Sequence, residues 1–237
     1  MIDEIELASS GLDAYANVQE TIARNLANAN TVGFKKNMIS FKTIMSETNG
    51  TETSTIQTNY GIDYSYGNLT YTGNTLNMAI DGDGFFALET AKGIRYTRNG
   101  QFQISNTGEV VTDTGAKVLG QAGPIVIPKG GGEIIIDKKG IININGKEIG
   151  RLTITNFNDL TKLEPTGDST FAAPEDSIDN TGEAKFNVAQ GYLESSNVSV
   201  VTEMVDMITN MRSYEASNNV IKTFSDLMER LISNQNI

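Results

Sequence analysis

Asp81 and Asp83, in the run IDGDG (80–84), stand two apart, which is the spacing that opens a calcium-binding loop. The third acid and the distant bidentate Glu of such a loop are missing, so the run reads as a tight turn before a strand at 85–89. The glycine run GGG (130–132) has no following Gly-Lys-Ser/Thr and opens no helix, so it is no phosphate loop. Asn49, Asn68 and Asn197 sit in N-x-S/T triplets, which matter only in a glycosylating compartment. The 237 residues include no cysteine and no histidine. That removes disulfides, thiolate nucleophiles, most structural zinc sites and the commonest general base. Two carboxylates or a Ser–Lys pair could still catalyse, but no such pair stands framed by aromatics, and tryptophan is absent. The residues therefore point to no catalytic, cofactor or metal site.

The net charge is −11 and is spread along the chain, with no basic patch. Nucleic acid is a poor partner for such a surface, and so is an anionic membrane. No run of eighteen or more apolar residues is present. The N-terminal residues lack the basic start and apolar centre of a secretory signal, so any export is expected to use another route.

The elements follow from periodicity. In the first thirty residues, Ile5, Leu12, Gln19 and Leu26 alternate with Ala8, Tyr15, Ile22 and Ala29. All but Gln19 are apolar or aromatic, which is the 3.5-residue stripe of a coiled coil. A helix from about residue 3 to 29 is expected. It stops at NLANANTVGFKK (25–36), a helix-to-arm junction of Asn25, Asn28, Asn30, Gly33 and Phe34, where Asn28, Asn30 and Gly33 tolerate turn conformations and Phe34 can anchor the departing chain. Lys35 and Lys36 are expected to stay solvated or to pair with acids. A second helix is expected over about 198–233, capped by Ser195, Ser196 or Asn197. Its stripe runs through Val200, Met204, Met207, Met211 and Tyr214, and after a phase change through Ile221, Phe224, Met228 and Leu231. Glu203 and Asp206 sit early in it, where the helix dipole favours acids.

Between the helices, short β-rich runs alternate with turn residues about every eight to ten positions. Asn99-Gly100 and Asn145-Gly146 carry the strongest hairpin signals. Residues 46–58 are polar without an apolar period and read as a loop or extended arm. The expected class is α+β: two terminal amphipathic helices forming a coiled-coil layer, and a central all-β domain of short antiparallel strands. The expected divisions are 1–33 for the first helix, 34–68 for a connecting arm, 69–190 for the β domain and 191–237 for the second helix. The two stripes are narrow seams, which favours packing against other copies as well as against each other.

Three separated motifs now carry a resemblance. NLANANTVGFKK (25–36) resembles the N-terminal signature of the flagellar rod and hook protein family. GYLESSNVSVVTEMVDMITNMRSYEASNNVI (191–221) is similar to the family's C-terminal signature. MAIDGDGFFALE through GQAGPIVIP is similar to its shared β domain. The resemblance is closest to the rod members, proximal or distal, and it implies a structural subunit of the basal-body rod, the helical drive shaft that carries motor torque to the hook. It implies type III export across the inner membrane without a cleaved signal, and assembly in the periplasm or cell wall. The implied partners are other copies, neighbouring rod and hook proteins and the flagellar export apparatus, with no nucleic acid and no small-molecule substrate. A hook or hook-associated axial protein, or a carboxylate-dependent cell-wall hydrolase, are the alternatives. On this reading Gly33 closes the helix-to-arm turn at positive φ, and Gly33→Val would disturb assembly while leaving the β domain untouched.

Overall fold

The computed structural model describes residues 2–48, 51–128, 132–179 and 185–234. Helix α1 spans Ile2–Ala27 and helix α2 spans Val200–Asn234. Between them lie short strands, so the protein is α+β with a helix at each end of the chain and a strand-rich centre. Among the described residues no helix is long and apolar enough to cross a membrane. The chain divides into two compact units. A helical unit takes the described residues of 1–29, 36–63 and 198–237, and a β unit takes Asn30–Lys35 and Tyr64–Asn197.

In the helical unit, α1 and α2 pair in antiparallel sense. Asn25 of α1 bonds Glu203 of α2, whereas Gln19, further back along α1, bonds Asn210, further along α2. The same unit holds a long ribbon. Strand β1 (Asn37–Thr48) pairs antiparallel with β2 (Thr51–Ile62) in unbroken register, from Asn37↔Ile62 to Thr48↔Thr51. Strands of this length reach ~40 Å. The polar stretch at 46–58, expected to be a loop or extended arm, is extended, and its described residues lie in this strand pair. The physical reason is threonine: Thr51, Thr53 and Thr55 alternate, and a β-branched side chain favours extended backbone without being apolar.

The β unit is organised by β5 (Phe85–Thr90). Phe85, Phe86, Ala87 and Leu88 are all buried, so both faces of this strand are covered and it reads as an unbroken apolar run. Phe86 and Leu88 join Met78, Phe102, Val118 and Ile142 in the main core, with Phe86 edge-on to Phe102 at 5.3 Å. Phe85 points the other way, into an aromatic group with Phe157 and Phe171 at 5.6 and 5.8 Å. Tyr64 stands against the same rings, and burial pushes its phenol pKa up. Strand β5 pairs with β6 (Gly93–Thr97) on one side and with Lys117–Gly120 on the other.

The chain ends this unit beside its start. Strand β3 (Leu69–Tyr71) pairs with Tyr192–Glu194, and β4 (Met78–Gly82) pairs with Phe186–Gln190. This return places the residue that organises the junction, Glu194, next to the segment entering from α1.

Of the two expected hairpin turns, Asn145-Gly146 joins Ile141–Ile144 to Lys147–Arg151, with φ of 51° and 79° as a type I′ turn needs. Asn99-Gly100 joins no strand pair. Asn99 accepts a bond from the Gln101 amide, and the Gly100 carbonyl accepts from the Met78 amide at 3.0 Å. A Cβ on Gly100 would lie 1.5 Å from the Met78 carbonyl oxygen, so glycine is needed there for close backbone approach rather than for a turn. Run 129–131, which includes the first two glycines of GGG, lies outside the described residues.

Phe86→Ala should destabilise the β unit by about 3–5 kcal/mol, the cost of emptying a fully buried aromatic site. Phe41→Ala, on β1 at 40 % exposure, should change stability by under about 1 kcal/mol. Denaturant melts of the two variants check this, and equal losses would place the main core elsewhere.

Candidate functional site

Residues 25 to 36 pass from the helical unit through a segment of the β unit and back, and each unit holds its own part on a buried carboxylate. The final turn of α1 is closed by Asn28, whose side-chain amide donates to the Arg24 carbonyl at 2.9 Å. One turn earlier, Asn25 is buried at 1 % exposure. Its Nδ2 donates to the Asn37 carbonyl at 2.9 Å, and its Oδ1 accepts from the Asn37 amide at 2.8 Å. The side chain thus pairs with the first residue of β1 as another strand would. Nδ2 also stands 3.2 Å from Oε2 of Glu203. Glu203 is equally buried, and Lys36 Nζ lies 2.6 Å from its Oε1. A buried carboxylate survives only when such partners replace water.

The expectation for Glu203 is an acid early in the helix, where the dipole favours it. Its position early in α2 is as expected, but its role is to hold Asn25 and Lys36. The expected caps also shift: α2 begins at Val200, and Ser199 supplies its carbonyl to the Glu203 amide at 2.9 Å.

In the β unit the counterpart is Glu194, at 1 % exposure. Its Oε1 accepts from Lys35 Nζ at 2.6 Å and from the Gly67 amide at 3.0 Å. Its Oε2 accepts from Arg98 Nη1 at 3.3 Å. Lys35 also donates to the Ser65 carbonyl at 2.7 Å, and Arg98 to the carbonyls of Ile80 and Gly82 at 3.1 and 2.7 Å. Lys35 and Arg98 are both 3 % exposed. The Tyr66 ring lies 5.7 Å from the ammonium and 5.1 Å from the guanidinium, within cation–π range of both. Tyr66 donates its hydroxyl proton to Asp83, which pushes the phenol pKa up. Burial pulls the Arg98 pKa down, and the charge of Glu194 opposes that pull. Asp83, read from sequence as part of a tight turn, thus has a second task. Lys35, expected to be solvated or paired with an acid, is paired.

Gly33 has φ 68°, and its amide donates to the Glu194 carbonyl at 2.8 Å. The positive φ is as expected. The independence of the β domain is not: a Cβ on Gly33 would lie 2.3 Å from the Asn99 amide nitrogen and 2.5 Å from the Arg98 carbonyl carbon. Residues 30–35 belong to the β unit, so a substitution here strikes that unit directly. Phe34 is half-buried, and Asn30 is exposed.

Along the helices, Ile22 is buried, while Leu12, Tyr15 and Leu26 are half-buried. Gln19, the break in the apolar stripe, has a partner: Asn210 donates to its Oε1 at 2.9 Å and to the Tyr15 carbonyl at 3.0 Å. On α2 the side turned inward reads Glu203, Met207, Asn210 and carries the polar groups. Met207 and Ile221 are half-buried. Met204, Met211, Tyr214 and Phe224 are 49, 50, 39 and 37 % exposed. The side chains of Ile5, Met228 and Leu231 lie outside the described residues. The buried partners Glu194, Arg98 and Asn210 were not singled out in the sequence. Their signal was a charged or amide residue inside an otherwise apolar or β-rich stretch.

Nothing in this arrangement positions a nucleophile or an acid–base pair toward open space. What it positions is backbone, which is the property of a structural subunit. Residues 5–35 match the family described as flagella basal body rod protein, residues 79–144 match the flagellar hook protein FlgE/F/G D1 domain, and residues 189–234 match the flagellar basal body rod FlgEFG protein C-terminal family. The flagellar basal-body rod protein FlgG of Bacillus subtilis is 31 % identical over 265 residues, covering 98 % of this chain and 99 % of that protein. The rod protein FlgF of Rhizobium meliloti is 34 % identical with 82 % of each chain covered, and FlgF of Escherichia coli is 33 % identical with 89 % of each covered. The chain belongs to the flagellar basal-body rod protein family.

Gly33→Val should lower the stability of the β unit by at least about 1–3 kcal/mol, from strain at positive φ before any clash is relieved. Lys35→Met should cost about 3–5 kcal/mol, because it strips one cation from a buried carboxylate. Thermal melts followed at the tyrosines of the β unit read both; an unchanged melt in either would remove that residue from the unit.

Proposed function

We propose that this chain is a structural subunit of the flagellar rod whose α2 carries the face that meets neighbouring subunits. The observation that carries the reading is an exposed apolar flank. Val201, Met204, Val205, Ile208 and Met211 are 74, 49, 57, 54 and 50 % exposed and recur at helical spacing. A monomer seldom leaves such a stripe in water unless something covers it. The inward side of α2 is polar and satisfied within the chain, so the apolar residues remain for other copies. The expected coiled-coil layer is then an assembly of helix pairs from many subunits, and the expected seam residues divide between the two tasks. Ile22 and Met207 lie toward the pairing within the chain, and Met204 and Met211 face outward.

The finer picture follows the family. Transport through the export apparatus, residence outside the inner membrane, contact with neighbouring rod and hook proteins and transmission of torque are the corresponding roles. The absence of cysteine supports an oxidising destination. The buried ion pairs support a load-bearing role, because each holds the backbone of its own unit in one register.

Ile208→Asp tests the face. The site is exposed, so the melt of the isolated subunit should shift by no more than about 0.5 kcal/mol. Covering that charge in an interface should cost several kcal/mol. Cells carrying the variant should secrete the subunit and build no rod. A motile flagellum built from it would overturn the assignment.

A further inference from the structure

The helical unit also contains a groove, and its position on α2 points to what fills it. The groove encloses about 520 Å³ between α1, α2 and the start of β1. Tyr15, Val18, Ile22, Met38 and Ile39 give it an apolar wall. Asp206, Thr209 and Ser213 line it from α2. At about 100° per residue, these three α2 positions and the exposed stripe through Val201, Val205 and Ile208 lie roughly 105° apart around the helix axis. Groove and stripe are therefore on different flanks of one element.

We propose that the stripe of one copy seats in the groove of the next, so that subunits join head to tail. This rests on the assembly reading above and names its contact. Three observations support a second copy as the occupant. The stripe and the groove walls are matched in length: residues 201–211 on one side, and residues 15–25 and 203–213 on the other, each run ~15 Å. The stripe is apolar, and the groove offers it the wall of Tyr15, Val18, Ile22, Met38 and Ile39. Charge also matches at the edge, because Arg212 borders the stripe and the exposed Asp206 lines the groove. The angular separation decides the symmetry. A stripe meeting a stripe would close into a two-fold dimer and stop. A stripe in a groove leaves the second copy's own stripe free, so the contact repeats and generates an open helical array.

Because the chain has no cysteine, single substitutions report the contact directly. Ile208→Cys and Met38→Cys place one thiol in the stripe and one at the groove, at sites 54 and 47 % exposed. The full-length variants are mixed, assembled, collected by sedimentation and oxidised mildly. A disulfide dimer is expected in the mixture and not in either variant alone. Dimer from Ile208→Cys alone would mean stripe on stripe and would overturn the proposal. Sedimenting assemblies without the mixed dimer would overturn it too, while leaving the assembly reading intact. Failure of the unsubstituted protein to sediment would sink both. In a second arm, Asp206→Arg should lower the assembled fraction about tenfold, and adding Arg212→Asp should restore it. Loss without rescue would count against the groove.

Discussion

The carboxylate of Glu194 is the point on which the β unit depends. Its two oxygens serve an ammonium and a guanidinium brought from far apart in the sequence, at separations of 159 and 96 residues. A buried charge has no inexpensive intermediate state: with both cations in place it is satisfied, and with one missing it costs several kcal/mol. Strand Tyr192–Glu194 therefore docks correctly only when the segment Asn30–Lys35 and the residues after β6 are docked as well. The cations are themselves bound to the carbonyls of Ser65, Ile80 and Gly82, so the cluster ties together backbone from several places. Apolar packing between the same segments would tolerate slippage; point charges at 2.6 Å and 3.3 Å do not.

The helical unit repeats the device one residue later. Lys35 pairs with Glu194 in the β unit, and Lys36 pairs with Glu203 in the helical unit. Two neighbouring lysines are thus committed to two carboxylates nine positions apart. A frame shift of one residue at the junction would present the wrong ammonium to each, so both units specify the same register. Asn25 adds direction, since it can bond both the amide and the carbonyl of Asn37 only when β1 departs along one path. Together with the Gln19–Asn210 contact, this makes the helix seam polar within the chain. Such contacts specify alignment more than they stabilise. The apolar residues of α2 are left on the outer flank, where a neighbour rather than the chain's own core can cover them.

Much of this was legible in the sequence. The 3.5-residue stripes placed both helices within a few residues of α1 and α2, because helix formation of that length leaves a periodic record. The run at 85–89 likewise read as a strand, which is β5. Residues 46–58 read as a loop or extended arm because apolar period was the criterion, while the strand signal there lies in the alternating Thr51, Thr53 and Thr55. The roles of Glu194, Arg98 and Glu203 were not legible, for a different reason. A charged residue looks the same in sequence whether it is solvated or buried, and only the fold brings its partner within reach. The same limit explains Gly33, whose positive φ follows from its place after a helix but whose contact with Asn99 does not.

Buried charges with shifted protonation equilibria often mark catalytic centres, so the Glu194 cluster invites that reading. Its valences argue otherwise. The carboxylate accepts from Lys35, Arg98 and a backbone amide, and each cation also donates to backbone carbonyls. Tyr66 lies over both cations, and its hydroxyl is held by Asp83. The downward pull on Arg98 comes first from burial, and a guanidinium starts so high that it stays charged at neutral pH. A general acid or base needs an unfilled valence facing substrate; here the atom without a partner, Arg98 Nε, is buried, and the bonds just named run to backbone and within the cluster. The electrostatic energy of the cluster is therefore spent on geometry. That suits a structural subunit of the flagellar rod family, in which the residues serve shape rather than turnover.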